Sequence, residues 1–274
     1  PSLLARIDDA RFRVGNRVGI LTAINTVGAI VGAVLAGFFF LPIFGLWGSI
    51  SLVSAIYLLA ALLIAPGDRL VVKVFRIFCV GTTTAFLVFL NHHLPISHVD
   101  KARGEVLVDQ MEGSYGVVSV VKNPSQNDLF ISLNNHYLLR GLASLEDERR
   151  QADLPLFLHP HPKSVFILGM ATGITAGASL THPVELVVVA ELIPGVVEAA
   201  EKYFEPYNFG LMKDPRVSIV LEDGRNHLFG TKDTFDVIIV DIVRPWGIGA
   251  GDLFSREHFE SAKKRLNPGG MFVQ

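Results

Sequence analysis

The run from Val18 to Gly67 contains no Asp, Glu, Lys, Arg or His over fifty consecutive residues. One bilayer crossing takes about 20 apolar residues, so the run is long enough for two. Pro42, Gly45 and Gly48 mark the expected break between them. A third apolar run, Val74 to Leu90, follows the basic segment "DRLVVKVFR" and ends at "NHHLP". The pattern predicts three spans, 18–41, 46–65 and 74–90, in a multi-pass transmembrane region 1–94, and hence a lipid bilayer as partner. The competing interpretation is a buried helical hairpin of a soluble core, although cores rarely supply so many uncharged residues in sequence. A secretory signal fits poorly, because the first span is too long and no cleavage pattern follows it. Gly28, Gly32 and Ala36 stand four apart and permit close helix contact in lipid; small residues are also simply common in membrane helices. Because Pro1 is not an initiator Met, the chain is expected to be a fragment with further spans upstream.

The remaining composition excludes several classes. Cys79 is the single cysteine, so neither an internal disulfide framework nor a zinc site is expected, and no metal is called for. A formal charge of −2 without a basic tract argues against nucleic acid as a partner. His92, His93 and His98 read as interfacial polar residues rather than metal ligands. A homo-oligomer is left open.

After Pro95 the sequence becomes ordinary globular chain. "GEVLVDQ", "YGVVSVVKN" and "DLFISLNN" are β-like runs separated by the turn-forming "MEGS" and "NPSQND", which predicts a small antiparallel meander over 95–142. From 143 to 274 apolar strands alternate with helices. "KSVFILG", "VELVVVAE", "RVSIVLED", "FDVIIVD" and "GGMFVQ" read as five strands of a parallel sheet covered on both faces, a doubly wound α/β domain. A chain ending in the fifth strand predicts an incomplete sheet with an apolar edge.

Ligands of such sheets bind beyond the carboxyl ends of the strands, so the strand ends carry the functional signal. The first opens onto "GMATGIT", where Gly169 and Gly173 leave room for a flat or extended ligand on the backbone; a tight turn for packing would want the same residues. The spacing is not the G-x-G-x-x-G of dinucleotide folds. Glu191 ends the second strand, where a carboxylate can accept from both hydroxyls of a ribose, or simply end a strand in water. Asp223 follows the third, as an acceptor for an adenine amino group or as a helix N-cap before "GRNHLF". Asp241 ends the fourth, where an acid can take a proton from an attacking amine or cap a turn. Asp252, farther along, is a weaker candidate. Three strand ends with compatible chemistry favour an adenosine site.

At these motifs the chain resembles the spermidine synthase family, and its membrane-fused, multi-pass members in particular. The resemblance is carried by "LPLFLHPHPKSVFILGMATGITAGASLTHP", "VELVVVAELIPGVVEAAEKYF", "DPRVSIVLEDGRNHLF" and "FDVIIVDIVRPWGIGAGDLFSREHFESAKKRLNPGG", and covers residues 105–274. The apolar "RVGILTAINTVGAIVGAVLAGFFFLPIFG" is similar to the membrane part of such fusions.

What the resemblance implies is a methyltransferase-like Rossmann domain behind a small β meander. It further implies transfer of an aminopropyl group from decarboxylated S-adenosylmethionine to an amine of the putrescine type, as in polyamine biosynthesis. Methyl transfer from intact S-adenosylmethionine and a non-catalytic nucleoside-sensing or transport-coupled role are the alternatives. By position, Gly169, Thr172 and Gly173 would form the donor loop, Glu191 the ribose acceptor, Asp223 and Gly224 the adenine side, and Asp241 the base. Tyr115 and Arg244 would stand on the substrate side. Two departures bear on the substrate. The family's G-G-G-D-G-G loop has an acid where this chain has Thr172, and its D-S-x-D-P has a second acid where "DIVRP" has Arg244. A cation there would pair with a carboxylate, which the intact donor has and the decarboxylated one lacks.

Topology pulls in two directions. Arg6, Arg11, Arg13 and Arg17 precede the first span, and Arg69, Lys73 and Arg76 lie between the second and third. Both clusters inside, with three spans, place the α/β domain outside. Because adenosyl donors are cytosolic, the expectation is nevertheless a cell-membrane protein with its catalytic domain on the cytoplasmic face.

Overall fold

The computed structural model describes residues 14–64, 70–93, 96–241 and 250–274. The chain forms two compact units, Pro1–Leu94 and Pro95–Gln274.

The first unit is helical: α1 (Val14–Leu35), a π-helical turn (Ala36–Phe40), α2 (Leu41–Ile64) and α3 (Leu70–His93). The uncharged run is interrupted at Gly45, whose φ of 66° and ψ of −175° lie outside the helical range. Only glycine adopts that backbone without a steric penalty. Pro42 follows directly on the π-helical turn, in a backbone still helical at Leu41 (φ −62°, ψ −45°), and has no N–H to donate to the turn before it. The carbonyl of Gly45 is taken up by the Ser49 hydroxyl at 2.6 Å. Thr26, Ser51 and Thr82 likewise donate to carbonyls one turn back, as hydroxyls do where no other partner is at hand. Large apolar side chains are exposed along all three helices, among them Ile24, Phe38, Ile43, Tyr57, Phe75 and Phe78. By length and composition the stretch Val18–Ala60 is apolar enough to cross a membrane; Val74–Leu87 is apolar but shorter.

The second unit opens with an antiparallel sheet of four strands in sequential order, β1 (Val106–Gly113), β2 (Gly116–Asn123), β3 (Asp128–Leu133) and β4 (Tyr137–Gly141). The fourth strand, "YLLRG", goes beyond the three β-like runs read from the sequence. Its Arg and Gly break the apolar alternation, and it forms because Asn134 and Asn135, with φ of 54° and 60°, turn the chain back.

Helix α4 (Leu145–Leu158) leads into β5 (Ser164–Leu168), α5 (Ile174–Ser179), β6 (Leu186–Ala190), α6 (Pro194–Phe204), β7 (Val217–Val220), α7 (Gly224–Gly230), β8 (Phe235–Val240), α8 (Arg256–Lys264) and β9 (Leu266–Val273). The five strands pair in parallel in the order β7-β6-β5-β8-β9. Alternate residues feed two cores. Val165, Ile167, Val187, Val189, Val237 and Ile239 pack with α4, α5 and α6 on one face. Phe166, Leu168, Val188, Ile238 and Val240 pack with α7 and α8 on the other. Burial on both faces is why these strands read as unbroken apolar runs.

The small sheet shares a core with α6, in which Val118, Val120 and Ile131 meet Val196, Ala199 and Phe204. The Lys202 ammonium and the Tyr203 hydroxyl donate to Asp109 of β1 at 2.7 and 2.6 Å. Meander and α/β sheet are thereby one unit.

Asn208, fully buried, fixes the start of α5 by donating to the carbonyls of Thr172 and Ala200. A Cβ at Gly177 would stand 2.1 Å from the Asn208 carbonyl oxygen. Gly177→Ala is therefore expected to lower the stability of the full chain by about 3 kcal/mol, the upper end for overpacking, read from the denaturation midpoint of the α/β unit. An unchanged midpoint would mean that the α5–Asn208 contact is not tight.

Candidate functional site

The order β7-β6-β5-β8-β9 puts the topological switch between β5 and β8, and the chain ends there carry the acids. The ladder runs one residue past the strands: the Gly169 N–H donates to the Ala190 carbonyl at 2.9 Å, and the Asp241 N–H to the Leu168 carbonyl at 3.0 Å. Glu191 and Asp241 thus flank the end of β5.

The loop after β5 has three left-handed residues in five, Gly169 (φ 90°), Ala171 (φ 47°) and Gly173 (φ 77°). Alanine in that region costs on the order of 1–2 kcal/mol, so its surroundings must hold it. They do so through Glu191, whose carboxylate accepts from the Met170 N–H at 3.0 Å and from the Ile193 N–H at 2.9 Å. The side chain is buried. Burial pushes its carboxyl above the usual range, and the N–H groups of Ile193 and Met170 oppose that rise. The Leu192 and Ala171 N–H groups act in the same sense, so the backbone of the loop and of the turn after β6 converges on this one carboxylate.

Asp223 takes up the helix-capping role, with its side chain accepting from the Arg225 N–H at 2.8 Å. It is also gripped by the Arg225 guanidinium at 2.8 and 3.2 Å, which holds its carboxyl below the ordinary value. Arg225 reaches on to Asp252 at 2.7 Å, tying the segment after β8 to α7. Gly224 meets a packing demand: a Cβ there would stand 2.4 Å from Leu168 Cγ. Tyr115 lies on the exposed turn between β1 and β2. Arg244 lies outside the described residues.

Asp241 is the centre of a buried cluster. Its side chain is 1% exposed and accepts from Arg140 Nη2 of β4 at 3.1 Å and from the Thr175 hydroxyl of α5 at 3.1 Å. Burial raises its carboxyl, with the Arg140 charge and the Thr175, Arg140 and Gln151 hydrogen bonds acting in the opposite sense. A second acid stands near it. Glu148 of α4, 1% exposed, accepts from the Ser144 hydroxyl at 2.7 Å and from the hydroxyl of fully buried Thr172 in a short contact. Its carboxyl is pushed up to about 7, chiefly by burial; the Thr172 and Ser144 hydrogen bonds and the Arg140 charge oppose the rise, and the Asp241 charge adds to it.

Glu148, Arg140 and Thr175 are members of this cluster that the strand-end reading missed. Arg140 came from an unrecognised strand. Glu148 did leave a signal: the buried face of α4 is Glu148, Ala152, Pro155 and Leu156, so an acid continues an apolar stripe at helical spacing. Among the described residues no group of three or more His, Cys, Asp or Glu is placed to hold a metal.

Residues 148–274 match the model of the spermine/spermidine synthase domain. The polyamine aminopropyltransferase of Salmonella arizonae is 40% identical over 121 residues, which are 44% of this chain and 42% of that protein. The chain thus spans less than half the length of the curated relatives it matches. A crystal structure of spermidine synthase in complex with the transition-state analogue AdoDATO aligns with 29% identity and a TM-score of 0.56, over 61% of this chain and 57% of that one. Spermidine synthase from Thermotoga maritima aligns with 28% identity and a TM-score of 0.54, over 61% and 56%.

The Glu148 carboxyl sets a pH dependence. The folded chain keeps its proton up to about pH 7, whereas the unfolded chain releases it near 4.5. Its contribution to stability therefore falls as pH rises through that window, by on the order of 3 kcal/mol in all. Glu148→Gln is expected to be more stable than the parent at pH 8 and to lose that advantage toward pH 4, measured by chemical denaturation at each pH; parallel curves would mean that Glu148 is ionised without cost. The strand ends, the buried acids and these matches converge: residues 148–274 of the chain are similar to a spermine/spermidine synthase domain.

Proposed function

We propose that the chain is a membrane-anchored aminopropyltransferase that uses decarboxylated S-adenosylmethionine as donor and a putrescine-type amine as acceptor. The observation that carries this reading is the placement of Glu191 and Asp241 on either side of the glycine loop. One is a carboxylate held at the end of β6, where a ribose would lie, and the other is a buried acid beside the point where an adenosyl donor's reacting carbon would lie.

In the proposed reaction the acceptor ammonium first gives a proton to Asp241. The neutral nitrogen then attacks the carbon attached to sulfur. A C–N bond forms while the C–S bond breaks, with its electron pair passing to the sulfonium, which leaves as a neutral thioether. Nothing needs oxidising or reducing. Positioning and deprotonation supply the acceleration, and the Thr175 hydroxyl and Arg140 hold the Asp241 carboxylate in place.

The competing reading is methyl transfer from intact S-adenosylmethionine, which the Arg140 cation in the site favours. That guanidinium is already engaged by Asp241, and aminopropyl transfer is therefore the better reading. Labelled donors of both kinds, incubated with full-length protein and putrescine, separate the two by the mass of the product. The expected product carries an added aminopropyl group, and Asp241→Asn lowers its rate by about 10²- to 10⁴-fold while the affinity for 5′-methylthioadenosine changes little. A methylated product, or an unimpaired Asp241→Asn variant, would overturn the reading.

The helical unit is the proposed anchor. Its exposed apolar residues and internally bonded hydroxyls suit a lipid environment. A cytoplasmic α/β unit follows from where the donor is found. Glu198 is exposed on α6. A Glu198→Cys variant in a Cys79→Ser background should react with an impermeant thiol reagent only after the cells are opened. Labelling of intact cells would place the unit on the other side.

A further inference from the structure

His258 is a buried titratable group that the proposed reaction does not use. Among the described residues it is the one side chain with two buried polar atoms and a hydrogen-bond partner for neither, Nδ1 and Nε2 alike being shut off from solvent. Leaving such groups unpaired is costly. Helix α8 nevertheless depends on this ring, because its buried residues are His258 and Ala262, one turn apart, and His258 is much the larger. The ring packs edge-on against Phe272 of β9, centroids 5.9 Å apart, and its centroid lies 6.0 Å from that of Phe259. A neutral imidazole fits among aromatic rings, and an imidazolium without an acceptor does not.

The surroundings of the ring are set against a positive charge. The His258 N–H donates to the Ser255 side chain at 3.2 Å, which places the residue in the first turn of α8, at the positive end of the helix dipole. Burial holds the imidazole below its ordinary value; from α7 the Arg225 charge acts in the same sense, and Asp223, the cap of that helix, acts against it. Asp223 is already gripped on both oxygens by Arg225. The turn before α8, Ala250–Phe254, brings Asp252, whose carboxylate is also bonded to Arg225. His227 of α7 stacks on Phe166, with its Nδ1 3.4 Å from Glu222. β9 carries no titratable side chain, and on α8 itself Arg256 pairs with Glu260. The two carboxylates on this side, Asp223 and Asp252, are thus both committed to a cation.

We propose that His258 is an acid-sensitive latch: neutral, it seats the first turn of α8 on β9; protonated, it releases that turn together with Asp252 and the Arg225 bridge to Asp223. The connection is short. The Ser255 N–H donates to the Asp252 carbonyl at 3.2 Å, so the turn carrying Asp252 and the start of α8 are joined, and Arg225 spans Asp252 and Asp223. An unfolded segment binds its proton near pH 6.5, and the seated ring only at lower pH. The latch is therefore fully closed above pH 6.5 and opens progressively as pH falls below it. This is the opposite sense to Glu148, whose contribution to stability is greatest in acid. The inference stands on the contacts of α7, α8 and β9 and not on the adenosyl-donor reading; where that reading holds, Asp223 is the point at which the latch reaches the ligand.

Hydrogen exchange of the full-length protein, followed by mass spectrometry on peptides covering 250–265 and corrected for the intrinsic pH dependence of exchange, tests the latch at pH 7.5 and 5.5. Protection of these peptides is expected to fall at the lower pH by up to about tenfold, the limit for one proton taken up by an opened segment with a midpoint near 6.5. His258→Gln takes up no proton in this range and should keep the same protection at both pH values. His258→Phe should do so as well, at a higher level, because an apolar ring suits a seat formed by Phe259 and Phe272. Glu148 is present in all three proteins, so its contribution cancels in the comparison. A fall of equal size in the unaltered protein and in the variants would assign the acid sensitivity to other groups and overturn the latch. Unchanged protection in the unaltered protein would overturn it too, and that measurement requires no variant to fold.

Discussion

The ion pair between Arg140 and Asp241 is the contact on which the organisation of the site depends. A carboxylate this deeply buried stays ionised only at a cost that a counter-charge offsets. The guanidinium comes from β4 of the meander, 101 residues away in sequence. For it to arrive, the meander must be docked on α6 through Val118, Val120 and Ile131, and α6 must be seated on the parallel sheet. The electrostatics of the acid thus constrain the packing of two sheets, and the small β structure becomes part of the site rather than an appendage to it.

The glycine loop shows a second coupling of the same kind. A left-handed alanine is unfavourable by itself, and a buried Glu191 is unfavourable by itself. Each offsets the other, because the strained loop turns its N–H groups inward and the carboxylate receives them. The two costs are met once, at folding. The carboxylate is then held in a fixed position, which is the preorganisation a ligand site requires.

The parallel sheet was legible in the sequence because its strands are buried on both faces and so read as apolar runs bounded by small residues. The break in the uncharged run was legible for a similarly local reason, since Gly45 is needed where the backbone leaves the helical range. The acids at the strand ends could be listed by position. Their partners could not, because Arg140, Thr175 and Glu148 lie on three different elements and meet Asp241 only in three dimensions. Asp223 illustrates the opposite limit: the sequence offered it two roles, capping and ligand acceptance, and in the fold the capping contact with the Arg225 N–H is joined by the Arg225 guanidinium on both oxygens. Local rules identify which residues carry charge, and only tertiary packing decides which charge is left without a partner.

That distinction bears on how far a domain match can carry an argument about chemistry. The matched segment begins at Glu148, so it contains both buried acids and the threonines that touch them, but not Arg140. Among the described residues of the segment, the cluster would hold Glu148 and Asp241 without the Arg140 guanidinium. Arg140, one of the groups that act on both Asp241 and Glu148, thus lies outside the matched domain segment. Two chains with the same domain and a different residue at this place in β4 would present different charges to the same ligand. The buried charge cluster is accordingly a property of the whole unit Pro95–Gln274, with the meander contributing Arg140 and the parallel sheet contributing Asp241.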